Sequence, residues 1–319
     1  MSATRQERVE RAFFRGGKLT LENPAYKQAA RRLIDALLED DLAGGDLTAS
    51  ALQMESRRVT MAVMAGEAGV VAGVEEIAML YRGYRVEVAV EKKDGAAIQQ
   101  GETVLRAEGN ESKLLALERT GLNLLQRMSG IASAGRALQE RVWQSGSSTR
   151  IVGTRKTPWG LLDKRALQLG GVGTHRLGLG DAILIKNNHL ALLAESEKEA
   201  APKAIEKAWE FRGKAAFIEV EVRSAAAARA AAEAFQRFQG AAEAEYPCVL
   251  MLDNMAPSEI SAVASMLRRE GLWECVLVEA SGGVSESNLD GYAACGADVI
   301  SIGALTHSVR ALDLRQRIL

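Results

Sequence analysis

Residues 276–306 read VLVEASGGVSESNLDGYAACGADVISIGALT, and this stretch decides the fold. A short apolar run, Cys275–Val278, leads into Glu279-Ala280-Ser281-Gly282-Gly283. A helical segment, Ser287–Cys295, stops at Gly296. A second apolar run, Val299–Ile302, then opens into Gly303-Ala304-Leu305-Thr306. Strand, glycine turn, helix, strand and glycine turn make a βα unit of a parallel sheet. The same rhythm extends back to about residue 148, with strands read at Arg150–Val152, Ile183–Ile185, Phe217–Val222 and Cys248–Leu252. Helices are read between them at Ser224–Phe238 and Pro257–Glu270; the second has proline just inside its start and Gly271 past its end. Polar residues gather just after each strand, where α/β barrels build their sites. No GxGxxG follows the first strand and GxxxxGK[ST] is absent, so a dinucleotide or P-loop fold is disfavoured. Residues 146–319 are therefore expected to form an α/β barrel.

Residues 1–145 read differently. The run YKQAARRLIDALL at 26–38 has apolar residues at helical spacing. Short β-like runs follow at Val59–Met64, Val70–Val74 and Val86–Val90, with a weaker one at Val104–Ala107. Asn110 is placed to cap a long helix from Ser112 to Trp143, with a break expected near Ser129-Gly130. This half is expected to be a separate α+β domain.

The 319 residues carry 40 Lys+Arg against 41 Asp+Glu, a net charge of −1 that offers no general attraction to nucleic acid or anionic membrane. No apolar run reaches the roughly 18 residues of a membrane helix. The opening MSATRQERVERAFF has no apolar signal core. Cys248, Cys275 and Cys295 form no CxxC pair, so a reducing, cytoplasmic setting is expected.

Charge is nevertheless concentrated. Between Arg150 and Lys186 seven Lys/Arg stand against two acids, Asp163 and Asp181. Arg155, Lys156, His175, Arg176 and Lys186 fall at strand ends, a set suited to a small substrate with several negative charges. The following strands end in acids. Alternation puts Glu219 and Glu221 on one strand face, and Asp253 closes the next strand. Glu219 is read as part of a structural ion-pair layer, Glu221 and Asp253 as functional. The last two strands end in glycine, and the loops after the final strands of a barrel are a recurrent phosphate site. His175, His189 and His307 form no close metal-ligand pattern, which argues against zinc. GxSxG is absent, which argues against a serine hydrolase of the usual type.

Seven motifs in order resemble quinolinate phosphoribosyltransferases. They are Glu118-Arg119-Thr120-Gly121-Leu122-Asn123 with Ser129-Gly130-Ile131-Ala132; Thr154-Arg155-Lys156-Thr157-Pro158; His175-Arg176-Leu177-Gly178-Leu179; Leu184-Ile185-Lys186-Asn187-Asn188-His189; Glu219-Val220-Glu221-Val222 with Leu252-Asp253-Asn254; Ser281-Gly282-Gly283; and Gly303-Ala304-Leu305-Thr306-His307-Ser308. Glu39-Asp40-Asp41 and Gly45-Asp46-Leu47-Thr48 also fit. The resemblance implies an N-terminal α/β sandwich followed by an open, incomplete barrel of parallel strands. It implies transfer of phosphoribose from phosphoribosyl pyrophosphate to quinolinate with loss of CO₂, giving nicotinate mononucleotide for NAD biosynthesis. Mg²⁺ would be the cofactor and a homodimer the working form.

By the same resemblance, Thr154, Arg155, Lys156, His175, Arg176 and Lys186 would line the dicarboxylate pocket, and Arg119 would reach in from the neighbouring subunit. Glu221 and Asp253 would face the ribose and Mg²⁺-pyrophosphate. Ser281, Gly282, Gly283, Ile302, Gly303 and Ala304 would hold the 5′-phosphate. Lys156, Lys186, Glu221 and Asp253 are the expected catalytic set. The sequence departs from the pattern at Val172, at Asn187 where Asp is usual, and at Trp159. A paralogue acting on another anionic acid, a Schiff-base aldolase using Lys186, and a catalytically silent phosphate-ligand sensor are the competing readings.

Overall fold

A computed structural model describes residues 3–54, 57–239 and 246–319. The chain divides into two compact units that share it in alternation. One takes the residues up to Arg15 together with Leu138–Lys156 and Val172–Ala304; the other takes Gly16–Ala137, Thr157–Gly171 and Leu305–Leu319. A single cut near residue 145, as read from the sequence, does not reproduce this interleaving. Strand rhythm along a sequence cannot reveal that a terminal segment returns to a distant element.

The first unit is built on a six-stranded, all-parallel sheet. Its strands are Arg150–Val152, Ile183–Ile185, Ile218–Val222, Cys248–Asp253, Leu277–Ser281 and Val299–Ser301. In space the first strand lies beside the sixth, followed by the fifth, fourth, third and second. The sheet does not close, so it is the open barrel that the resemblance implied. Helices Ala225–Gln239 and Pro257–Arg269 connect strands as expected, and Glu197–Trp209 adds one that the sequence reading omitted.

Near the start of the strands, Phe217, Val249, Leu277 and Val299 form one buried cluster with Val9, Ala12 and Phe13 of helix Arg5–Phe13. That helix opens with a capping box in which Thr4 and Glu7 satisfy each other's backbone N–H groups. It seals one end of the sheet with apolar side chains.

The second unit carries an antiparallel sheet of Leu314–Ile318, Arg58–Ala65, Thr103–Asn110 and Glu87–Val90, in that order. Helices Pro24–Leu42, Val74–Gly83 and Leu161–Leu169 belong to it. Val74, expected in a strand, instead begins a helix, where Asp94 accepts its N–H.

Helix Glu111–Gln144 runs unbroken through Ser129-Gly130, contrary to the expected break. Ser129 Oγ accepts the Ala72 N–H at 3.0 Å and donates to its carbonyl at 3.2 Å. A Cβ on Gly130 would lie 2.2 Å from the Arg310 carbonyl oxygen. Both residues are small because neighbouring backbone comes close, not because the helix ends. Asn110 does cap it, accepting the Lys113 N–H at 3.2 Å.

Candidate active site

At the carboxyl ends of the parallel strands lies a cavity of about 270 Å³. Thr154, Arg155, Lys156, His175, Arg176, Lys186, Glu221, Asp253 and Ser281 all border it. These nine residues, singled out from the sequence, come from five strand ends and one loop. Leu184, Met251, Glu279 and Ser301 complete the wall. Arg119 belongs to the other unit, where it is exposed beside a hollow formed with Asp46, Thr48, Leu52, Leu115 and Glu118.

The turn after the first strand is tied by Thr154, whose hydroxyl accepts the Lys156 N–H at 3.1 Å. Arg176 donates to the Ala182 carbonyl at 3.2 Å. Burial and the nearby Arg155 charge hold its guanidinium below its ordinary pKa, so this corner gains from an anion. Lys186 heads a short turn, with its N–H given to His189 Nδ1 at 2.9 Å. The Asn187 backbone N–H donates to the Glu221 carboxylate, a contact that does not depend on the side chain at 187.

Burial, reinforced by the Asp253 charge, raises Glu221 above the usual carboxylate range. Arg223, not singled out from the sequence, reaches both acids: Nε lies 3.4 Å from Asp253 Oδ2 and Nη2 lies 3.8 Å from Glu221 Oε1. The Arg-Ser pair after Glu219-Val220-Glu221-Val222 carries no signal of this role.

Beyond the fourth and fifth strands the loops interlock. Asn254 donates its backbone N–H to the Ser281 carbonyl at 2.8 Å. Gly282 adopts φ +89°, and a Cβ there would sit 2.4 Å from Asn254 Oδ1. Only glycine fits this turn without displacing Asn254. Gly283 also has positive φ. Ser301 donates to Ser281 Oγ at 2.9 Å, linking the last two strand ends. Ile302, Gly303 and Ala304 follow the last strand directly.

His175 behaves differently from expectation. It borders the cavity, yet both ring nitrogens serve internal partners. Nδ1 accepts the Arg176 N–H at 2.8 Å. Nε2 lies 3.3 Å from Glu219 and 3.2 Å from Glu279, and both carboxylates are fully buried. Phe13 and Phe217 contact the ring edge-on. The backbone is held in a left-handed turn, φ +54°, by the bond from its N–H to the Phe13 carbonyl. The buried Glu219 thus pairs with a histidine rather than with the arginines expected of an ion-pair layer.

These three groups share protons. Burial opposes a charged ring, but the Glu279 and Glu219 carboxylates outweigh it and push His175 up to about 9. Burial and the Glu279 charge push Glu219 up to about 8. Burial works against an ionised Glu279 as well, yet the neighbouring His175 holds it below the ordinary carboxylate value. The directions agree on an ionised Glu279 and on a proton held by the His175–Glu219 pair to well above neutral pH.

The same atoms lie within 4.8 Å of one another, close enough in principle for a metal. A ligating Nε2 must move its proton to Nδ1, where the Arg176 N–H already points. The cluster suits a proton and does not suit a metal.

In the second unit, Trp159 lines a hollow with Leu37, Asp40, Asp41, Thr120 and Asn123. The Arg127 guanidinium stands 5.1 Å from the Trp159 ring centre and pairs with the buried Asp163 at 2.8 Å. The altered residue is therefore a wall supported by an arginine.

The chain matches two family models: quinolinate phosphoribosyl transferase, N-terminal domain, over residues 46–129, and the C-terminal domain of the same family over 131–317. It is 38% identical to the probable nicotinate-nucleotide pyrophosphorylase [carboxylating] of Methanothermobacter thermautotrophicus, covering 88% of this chain and 96% of that one. Its identity to the human nicotinate-nucleotide pyrophosphorylase [carboxylating] is 34%, over 88% and 89% of the two chains. Among solved structures, NadC from Streptococcus pyogenes superposes with TM-score 0.75 at 30% identity, covering 91% of this chain and 96% of that one. The nicotinate-nucleotide pyrophosphorylase of Francisella tularensis gives 0.78 at 27% identity, over 92% and 96%.

Proposed function

The chain belongs to the quinolinate phosphoribosyltransferase family, and on that premise we propose that it joins quinolinate to phosphoribosyl pyrophosphate with loss of CO₂, forming nicotinate mononucleotide for NAD biosynthesis. The observation that carries this reading is the single cavity wall where Arg155, Lys156, Arg176 and Lys186 face Glu221 and Asp253. A dicarboxylate needs the first set. A ribosyl cation and a pyrophosphate-bound metal need the second. The names of the relatives favour this reading over a Schiff-base aldolase.

The chemistry can be written with these residues. Guanidinium forks of Arg155 and Arg176 hold the two ring carboxylates and set the ring nitrogen toward the sugar, while Lys156 and Lys186 add point charges. The nitrogen lone pair forms a bond to the anomeric carbon as the bond to pyrophosphate oxygen breaks and its electrons leave with pyrophosphate. Glu221 and Asp253 offset the positive charge that develops on the sugar. The ring nitrogen is then quaternary. The bond from C2 to its carboxylate breaks, CO₂ departs, and the electron pair left on C2 takes a proton from water. Lys156 and Lys186 act here by binding charge and form no covalent bond.

Mg²⁺ is the proposed cofactor, and Glu221 with Asp253 fits it. Their carboxylates are close enough that one guanidinium reaches both. When bound, the ion supplies countercharge for the leaving pyrophosphate. Ser281, Gly282, Gly283 and the turn from Ile302 to Ala304 are proposed to hold the 5′-phosphate through backbone N–H groups.

A homodimer is also proposed, with Arg119 serving the neighbouring copy's site. Arg119 is exposed, and Leu47 and Leu52 of the same unit are 80% and 68% exposed, apolar surface that a second copy would cover. Among the described residues no helix is long and apolar enough to cross a membrane, which is compatible with the proposed cytoplasmic location.

The direct test supplies quinolinate, phosphoribosyl pyrophosphate and Mg²⁺ and follows nicotinate mononucleotide and CO₂ together. Both products should form in equal amounts, and Lys186→Ala should abolish both. If neither forms although phosphoribosyl pyrophosphate binds, the acid substrate assigned here is wrong.

A further inference from the structure

Glu221 and Asp253 stand side by side at the mouth of the cavity, each less than one-sixth exposed at the side chain. Two carboxylates so placed repel each other, and the pair is stable only with a cation nearby. Asn254 Nδ2 donates to Asp253 at 2.8 Å and the Asn187 N–H donates to Glu221, but neither brings charge. Lys186 also acts on Glu221, from the cavity wall, but among the described residues the guanidinium that lies within 4 Å of both acids is that of Arg223.

Arg223 is unusually arranged for an ion-pair partner. Its backbone is anchored, with the N–H given to Glu197 at 3.0 Å. Its guanidinium is half exposed and makes no short contact with either acid, at 3.4 and 3.8 Å. A charge-assisted bond would settle near about 2.8 Å. A hard divalent ion draws carboxylate oxygens to roughly 2.1 Å. Arg223 is thus held in the right place by its backbone and only loosely by its charge.

We propose that Arg223 is the resident counter-cation of the Glu221–Asp253 pair, occupying the divalent-ion position in the empty enzyme and swinging toward solvent when the ion arrives with pyrophosphate. The inference rests on the metal-facing role given to these two acids under the proposed function. It makes Arg223 a competitor of the metal, not a ligand of either substrate.

Mn²⁺ binding to the full chain without substrates, read as the loss of the free-ion paramagnetic resonance signal, tests this. Arg223→Gln should tighten Mn²⁺ binding by on the order of fivefold, the scale of two weak ion pairs removed. Arg223→Lys should stay near the parent, and adding Asp253→Asn to Arg223→Gln should erase the gain. Equal affinity in the parent and Arg223→Gln overturns the proposal. So does an unchanged Mn²⁺ affinity with a raised KM for phosphoribosyl pyrophosphate, which would make Arg223 a pyrophosphate ligand. Absence of Mn²⁺ binding in every variant overturns it as well. Turnover of quinolinate by the parent decides the reaction independently of all three.

Discussion

His175 Nε2 lies 3.2 Å from the carboxylate of Glu279, a residue with no solvent exposure that sits two positions before the Ser281-Gly282-Gly283 turn. Its other nitrogen receives the N–H of Arg176. One imidazole therefore joins the floor of the open barrel to the backbone that carries an arginine of the cavity wall. Through that bond His175 holds the backbone from which the Arg176 side chain starts. A buried carboxylate left without this partner would cost several kcal/mol.

The first prediction concerns pH. The cluster keeps a proton in the folded state that the unfolded chain releases, because His175 is pushed up to about 9 from an ordinary value of 6.5. A raised folded pKa contributes stability that is complete below about pH 6.5 and is lost as pH rises through about 9. The melting temperature should fall across that window, by on the order of 5 °C from this source. Glu279→Gln removes the largest upward influence on the ring and should flatten the decline. Parallel melting curves for parent and variant against pH would refute the shared-proton account.

The second prediction separates charge binding from nucleophilic catalysis. Lys186→Met retains much of the side-chain volume and loses the charge. Losing one charge-assisted contact to a carboxylate should raise the KM for quinolinate by roughly 10- to 100-fold. The KM for phosphoribosyl pyrophosphate should move much less. Steady-state kinetics with each substrate varied in turn would decide. An unchanged quinolinate KM rules out the role assigned to Lys186.

The sequence made the parallel strands legible because their β-branched runs are short, buried and punctuated by glycine or charge. Arg150–Val152 and Ile183–Ile185 match residue for residue. It also made the cations and acids of the cavity legible, since strand-end residues must face the same opening. What stayed hidden depends on distant contact. Helix Arg5–Phe13 looks like an ordinary charged helix until its Val9, Ala12 and Phe13 meet the strand starts. The pairing of His175 with Glu219 and Glu279 joins residues far apart in sequence, and no spacing rule could anticipate it. Arg223 was missed because its role comes from the acids on either side and from no motif of its own.

Gly130 tests one of those misreadings. Glycine is a poor helix former, and Ala at an unconstrained helix interior is favoured by about 1 kcal/mol. Here the added Cβ would meet the Arg310 carbonyl oxygen at 2.2 Å, and that atom is backbone with little room to yield. The clash should win: Gly130→Ala should destabilise by about 1–3 kcal/mol, as overpacking does. Denaturant unfolding would show a lower midpoint. A stabilised variant would mean that the chain segment at Arg310 gives way easily, and that the glycine marks no tight contact.

Arg119 offers the sharpest test of the assembly. In the proposed homodimer each site takes Lys186 from one copy and Arg119 from the other, so Arg119→Ala and Lys186→Ala should each be inactive as pure proteins. Mixed after reversible dissociation, equal amounts give half heterodimers by random pairing. Each heterodimer carries one site with both defects and one with neither. Activity should therefore return to about a quarter of the parental value. The recovery should require subunit exchange, so crosslinking each variant before mixing should prevent it. If the mixture stays inactive while exchange is demonstrated by mass, Arg119 serves its own chain or no site at all. Recovery near one quarter would fix both the shared site and the identity of the residue that crosses between copies.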